Sequence, residues 1–219
     1  MNQQAKYVVF FDLDNTLLSV NSGKVIVKVA FKSGLMPFFS LIKGIILSIL
    51  HKINLGNQTR IIESMTLWLK GFSTQQIEDF VNLIVDEKLI PNIRPSIIQE
   101  IKRHRSNNAE IVILSAAPDF ICEPLAQHLD INYVISTKLE IFQGNYTGKV
   151  SGKICIDKQK VVRLKEFCSE KQFTLQDAFY YGDNHTDKYA LETVGHPVCV
   201  SPDKKLRKLA ILKSWQIIE

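Results

Sequence analysis

At 219 residues, 46% of them hydrophobic and 22% charged, the chain is long enough for one α/β domain with an insertion and too apolar to be disordered. Its net charge of +5 is modest, and the basic run Lys204-Lys205-Leu206-Arg207-Lys208 has no interleaved aromatics, so it reads as a solvated helix face with no nucleic-acid partner. Cys122, Cys155, Cys168 and Cys199 form no CxxC pair and no regular spacing, which excludes a disulfide frame or zinc site and fits small core residues of a reducing, cytoplasmic compartment.

The first element is the unbroken apolar run Tyr7-Val8-Val9-Phe10-Phe11, the composition of a fully buried strand. Asp12 and Asp14 follow where that strand must end, and they interrupt the run before it could act as a secretory signal. From residue 15 to residue 62 there is no acid, while Lys24, Lys28 and Lys32 recur every fourth position and share one helix face. The stretch 34–50 is apolar almost throughout. Lys43 and Gly44 at its centre argue against a membrane span. It is expected either to bury against neighbouring helices or, beside the basic stripe, to give peripheral contact with the inner face of an anionic membrane. Helices are expected over 59–70 and 73–87, the second opened by an S-x-x-Q capping box at Ser73 and Gln76. Pro91 and Pro95 mark an exit. Residues 20–92 thus read as an all-helical insertion between 1–19 and 93–219.

Beyond the insertion, strands and helices alternate. A helix is expected from Pro95 to His104, a buried strand over 111–114 and a helix over 120–129. Next come a strand over 133–136 and a hairpin turning at Gln143-Gly144-Asn145. A helix over 157–169, a buried strand over 178–181, a helix to Val194, a strand over 197–200 and a helix over 203–212 complete the chain. This alternation predicts a doubly wound, mostly parallel sheet covered on both faces.

Four polar signals fall at the ends of these elements: Asp12 with Asp14, Ser115, a lysine in the 158–160 turn, and Asp183 with Asp187. Side chains at i and i+2 of a strand point the same way, so Asp12 and Asp14 can face one cleft. Ligands of open α/β sheets bind just beyond the carboxyl ends of the strands. Phosphoryl transfer needs these residue types. One carboxylate can attack phosphorus, and a second can act as acid and then base. A hydroxyl and a lysine can hold the equatorial oxygens, while further carboxylates fix a hard cation. His185 is equally open to substrate contact or a loop role; His51, His104, His128 and His196 lack convergent partners and read as structural.

Asp12-Leu13-Asp14-Asn15-Thr16 and Gly182-Asp183-Asn184-His185-Thr186-Asp187, in this order with Ser115 and a lysine between them, resemble the motifs of the haloacid dehalogenase superfamily of phosphatases. The order of parts is similar to the phosphoserine-phosphatase-like branch, with a helical cap after the first motif. The resemblance implies a Mg²⁺-dependent phosphomonoester hydrolase working through an aspartyl phosphate. In it Asp12 is the nucleophile, Asp14 the acid/base, and Ser115 and Ala116 bind phosphate. Lys160 neutralises charge, Asp12, Asp14 (through its carbonyl) and Asp183 hold Mg²⁺, and Asp187 supports them. The resemblance also implies that the cap selects substrate, and here the pattern departs. Asn21 stands where phosphoserine phosphatases carry an acid, and Met65 where they carry an arginine. The substrate expected is a lipid or other hydrophobic phosphomonoester. The alternatives are a small soluble metabolite of the histidinol phosphate or phosphoserine type, or phosphotransfer to an alcohol.

Overall fold

The computed structural model describes residues 5–39, 42 and 66–219. Met65, most of the apolar stretch 34–50 and the first part of the helix expected over 59–70 lie outside the described residues. A six-stranded parallel sheet runs in the order β3-β2-β1-β6-β7-β8, formed by β1 (Tyr7–Phe11), β2 (Ala109–Pro118), β3 (Tyr133–Thr137), β6 (Phe179–Gly182), β7 (His196–Val200) and β8 (Gln216–Ile218). The antiparallel pair β4 (Leu139–Phe142) and β5 (Asn145–Val150) stands apart from it. The doubly wound arrangement is the one expected from the sequence.

β1 is buried on both faces, which is why its sequence is a continuous apolar run rather than an alternating one. Val9 and Phe11 pack on one side with Ile97 and Ile101 of the helix Pro95–Ser106 and Ile121 of the helix Asp119–His128. Val8 and Phe10 pack on the other with Leu164 of the helix Lys158–Lys171 and Leu206 of the helix Lys204–Leu212. With β2 and β6 as its neighbours, β1 places its carboxyl end at the middle of the sheet edge.

The described part of the insertion is helical. Asn21 caps the helix Ser22–Lys32, accepting from the Lys24 N–H at 2.9 Å. The capping box expected at Ser73 opens the helix Thr74–Ile84, with Ser73 Oγ accepting from Gln76 N at 3.2 Å and Gln76 Oε1 accepting from Ser73 N at 2.9 Å. The β4–β5 hairpin is stitched to this region. Tyr146 accepts from Gly71 N and donates to the Phe72 carbonyl, both at 2.9 Å. Gly148, at φ +80, lies so close that a Cβ there would meet Leu67 Cα at 3.1 Å. Among the described residues no helix is long and apolar enough to cross a membrane.

Candidate active site

Asp12 leaves β1 with its N–H donated to the Tyr181 carbonyl of β6 at 2.9 Å. The chain then turns through Leu13–Leu17, where Asn15 takes φ 58, a left-handed conformation that asparagine tolerates better than most residues. This turn carries Asp14 back to the cavity that Asp12 lines, a space of about 160 Å³ that also holds Ser115, Ala116, Lys160, Asp183 and Asp187. The residues to which the resemblance gave roles therefore meet in one place, though they are spread over 176 positions from Asp12 to Asp187.

Ser115 and Ala116 arrive through a break in strand pairing. Leu114 pairs with Ile135 but Pro118 pairs with Thr137, so β2 gains length over β3 between them. Such a bulge re-aims the residues it contains. Ser115 is 2% exposed and its hydroxyl accepts from the Ala117 N–H at 3.2 Å.

Of the two lysines, it is Lys160, in the first turn of its helix, that reaches Asp12. Its Nζ donates to Asp12 Oδ1 at 2.6 Å, to Asp187 Oδ1 at 2.7 Å and to the Tyr180 hydroxyl at 2.9 Å. An ammonium has three N–H donors, and all are engaged. Lys158 instead lies at the surface with its Nζ 5.5 Å from the Tyr189 ring centroid. Asp187 also accepts from the Tyr180 hydroxyl at 2.8 Å and, through Oδ2, from Asn184 N at 3.3 Å. Both its oxygens are thus engaged by protein donors. Asp183 accepts from Thr16 Oγ1 at 3.3 Å. Asp14 accepts from Asn21 Nδ2 and from Ser22 N, both at 2.8 Å.

The profile of haloacid dehalogenase-like hydrolases matches residues 9–192, most of the chain. The chain belongs to this family. A probable phosphatase of Mycobacterium tuberculosis is 26% identical over 218 residues, covering 98% of this chain and 76% of that protein. A histidinol-phosphatase of Neisseria meningitidis is 28% identical over 229 residues, covering 97% and 98%. Among solved structures, a protein of unknown function from Bordetella pertussis superposes with a TM-score of 0.91 at 22% identity over 98% and 99% of the two chains. A substrate-bound phosphoserine phosphatase superposes with a TM-score of 0.73 at 16% identity, covering 99% and 94%.

Electrostatics in this hydrolase's cavity are dominated by burial. Burial raises the Asp12 carboxyl to about 7, although Lys160 pulls the other way. Burial, then the charges of Asp12 and Asp187, raises Asp183 to about 8. Burial also raises Asp14, against the hydrogen bonds from Ser22. Burial alone would discharge Lys160, but Asp12 and Asp187 outweigh it and hold the ammonium well above its ordinary range. Asp12, Asp183 and Asp187 bring carboxylate oxygens within 4.8 Å of one another against this single ammonium. Such a deficit of positive charge among hard oxygen donors fits a divalent cation of the magnesium type.

Three contributors were missed in the sequence. Tyr180 is masked by the apolar run 178–181 around it, though a buried tyrosine hydroxyl demands a partner. In the sequence Thr16 stands out only as part of a motif and Asn21 only as a departure from one; in the structure they donate to Asp183 and Asp14. His185 lines an adjacent groove rather than the cavity that holds Asp12. Contrary to the expectation that His104 lacks convergent partners, it has two: it is fully buried between the hydroxyls of Tyr7 at 2.9 Å and Tyr181 at 2.8 Å.

Proposed function

We propose that this phosphatase hydrolyses a phosphomonoester with Mg²⁺ through an aspartyl phosphate on Asp12, the cap formed by 20–92 choosing the substrate. The observation that carries the reading is the 2.6 Å bond from Lys160 to Asp12 Oδ1. It orients the carboxylate at the end of β1 and offsets its charge as an anionic phosphate approaches. The Asp12 oxygen forms a bond to phosphorus while the bond to the leaving oxygen breaks, and Asp14 supplies the proton that oxygen takes. Water then attacks phosphorus, Asp14 takes its proton, and inorganic phosphate and free Asp12 result. The raised pKa of Asp14 suits it to hold the first proton. Ser115 and Ala116 receive the phosphate oxygens. Asp12, Asp183 and the Asp14 carbonyl would hold Mg²⁺, which when bound offsets phosphoryl charge.

A small phosphomonoester is the substrate class favoured by the curated relatives, and the unpaired cysteines fit a cytoplasmic protein. Phosphoserine itself is disfavoured, because Asn21 offers an amine no charge and its amide is committed to Asp14. A second reading, a lipid phosphate reached by peripheral docking on an anionic membrane, draws support from Lys24, Lys28 and Lys32. All three are exposed on the first cap helix. Turnover of soluble and lipid phosphomonoesters by the wild type, Asp12→Asn and EDTA-treated protein tests the proposal. Asp12→Asn should lose at least a thousandfold in kcat, and EDTA should abolish turnover until Mg²⁺ is restored. A tenth of wild-type activity in Asp12→Asn rules out the covalent route. Product formed on an added alcohol in place of inorganic phosphate would mark a phosphotransferase.

A further inference from the structure

A second cavity, of about 630 Å³, opens directly beside the catalytic one, between the loop before the helix Lys158–Lys171 and the turn that follows Asp183. The two share Ile156 and Thr186 in their walls, so the groove begins where the catalytic cavity ends. Its ionisable lining is unbalanced. Among the described residues, Lys153, Lys158 and Lys188 stand against Asp157 as the one acid, with His185 beside them. None of the three lysines has an ion-pair partner among the described residues, whereas Lys138, Lys160 and Lys213 do. Lys158 and Lys188 also lie close to one aromatic ring, 5.5 and 4.7 Å from the Tyr189 centroid, so two like charges are gathered at one wall. Gathering unpaired ammoniums at the mouth of a site produces a local positive potential that attracts anions.

We infer that this groove is a substrate subsite for a second anionic group, so that the preferred phosphomonoester carries a carboxylate or further phosphate on its leaving group. The inference rests on the phosphatase reading and sharpens it. A cationic leaving group, such as an amino alcohol, meets repulsion from Lys158 and Lys188. A neutral one leaves the groove unused.

The test compares kcat/KM, with Mg²⁺ present, for three esters of similar size: glycerol 1-phosphate, 3-phosphoglycerate and phosphoethanolamine. The anionic ester is expected to exceed the neutral one by about tenfold, chiefly through KM, and the cationic one by more. The preference should shrink in roughly 0.5 M salt, because exposed charges are screened. In a Lys158→Ala, Lys188→Ala double variant the anionic-to-neutral ratio should fall to about one, while Lys158→Arg, Lys188→Arg should keep it. A lipid whose headgroup sets the monoester beside a phosphodiester forms a separate arm. Preference for it over 3-phosphoglycerate assigns the second anion to a headgroup, and the reverse to a soluble metabolite. A wild-type ratio near one, or a ratio unchanged in the alanine double variant, overturns the inference. Failure to hydrolyse any ester would instead defeat the phosphatase reading. Calorimetric binding of 3-phosphoglycerate against glycerol 1-phosphate, in wild type and double variant, then decides the groove by the same ratio.

Discussion

Tyr180→Phe removes one oxygen and leaves the ring, so it isolates what that hydroxyl does. The side chain is fully buried, and its hydroxyl accepts from Lys160 Nζ at 2.9 Å while donating to Asp187 Oδ1 at 2.8 Å. Both partners are charged and nearly as deeply buried, at 4% and 2% exposure, so water does not readily replace the lost contact. Hydrogen bonds to charged groups are worth about 1.5–3 kcal/mol each, and the two here share one network, so a loss of about 2–4 kcal/mol is expected. For a domain of this size each kcal/mol shifts Tm by about 2–4 °C, giving a fall of roughly 5–15 °C in a thermal melt. Turnover should fall as well. With its third partner gone, the Lys160 ammonium can rotate, and Asp12 loses the fixed bond that aims it; misplacement on this scale costs on the order of 10–100-fold in kcat. KM should change little, since Tyr180 does not line the cavity. A Tm within about 1 °C of wild type and a kcat within about twofold would refute the view that this hydroxyl holds Lys160 in place.

The same network is exposed to Gly182, where a Cβ would lie 2.9 Å from Tyr180 Cε1 and 3.0 Å from Asp187 Cβ. Gly182→Ala should therefore cut kcat by at least about tenfold, measured beside a melt that shows the protein still folded. Stability of the metal-free protein should depend on pH in the opposite sense to ordinary acid denaturation. Folding raises Asp12 to about 7 and Asp183 to about 8, so between the ordinary carboxylate range and pH 8 the folded state binds more protons than the unfolded one. Its Tm in EDTA should drop as pH rises from about 5 to 8, and added Mg²⁺ should restore most at the alkaline end, where the carboxylates are free to bind it. A flat or rising melt in EDTA over that range would contradict the raised values.

Much of this was legible in the sequence because the chemistry sits at strand ends. The run from Tyr7 to Phe11 has the composition of a strand buried on both faces, and two acids immediately after it fall at the carboxyl edge of the sheet. The same logic located Asp183 after β6, and it marked Ser115 as the end of the strand expected over 111–114; β2 instead runs on through a bulge to Pro118, so Ser115 reaches the cavity from within the strand. β8 was not legible, since Gln216–Ile218 is too short for its pattern to stand out from the end of the preceding helix. The turn at Leu13–Leu17 escaped for another reason. Its bonds, including Leu18 N to the Leu13 carbonyl at 2.9 Å, follow from how the chain must leave β1 and enter the first cap helix, which no local pattern encodes. Tyr180 was hidden because an apolar reading of a strand discards the one polar atom that matters.

Asn21 joins the cap to the chemistry, and a single substitution separates its two roles. Its Oδ1 caps the first cap helix through the Lys24 N–H at 2.9 Å, while its Nδ2 donates to Asp14 Oδ2 at 2.8 Å. Asn21→Asp keeps the first role, because aspartate caps helices as well as asparagine does. It inverts the second, since a donor becomes an acceptor and two carboxylates face each other at hydrogen-bond distance. Like charges so placed cannot both ionise comfortably; either one binds a proton or Asp14 turns away. The folded state should thus lose little, within about 1 kcal/mol, while kcat falls at least tenfold at neutral pH because Asp14, the proposed acid and base, is no longer held in a fixed position. Part of that loss should be recovered below pH 6, where a shared proton restores a hydrogen bond between residues 21 and 14. Asn21→Ala should show the converse balance, with a loss of about 1 kcal/mol from the missing cap and a smaller effect on turnover, because Ser22 N still holds Asp14 Oδ1 at 2.8 Å. Equal turnover in wild type and Asn21→Asp at neutral pH would show that the Asn21–Asp14 contact contributes nothing to catalysis.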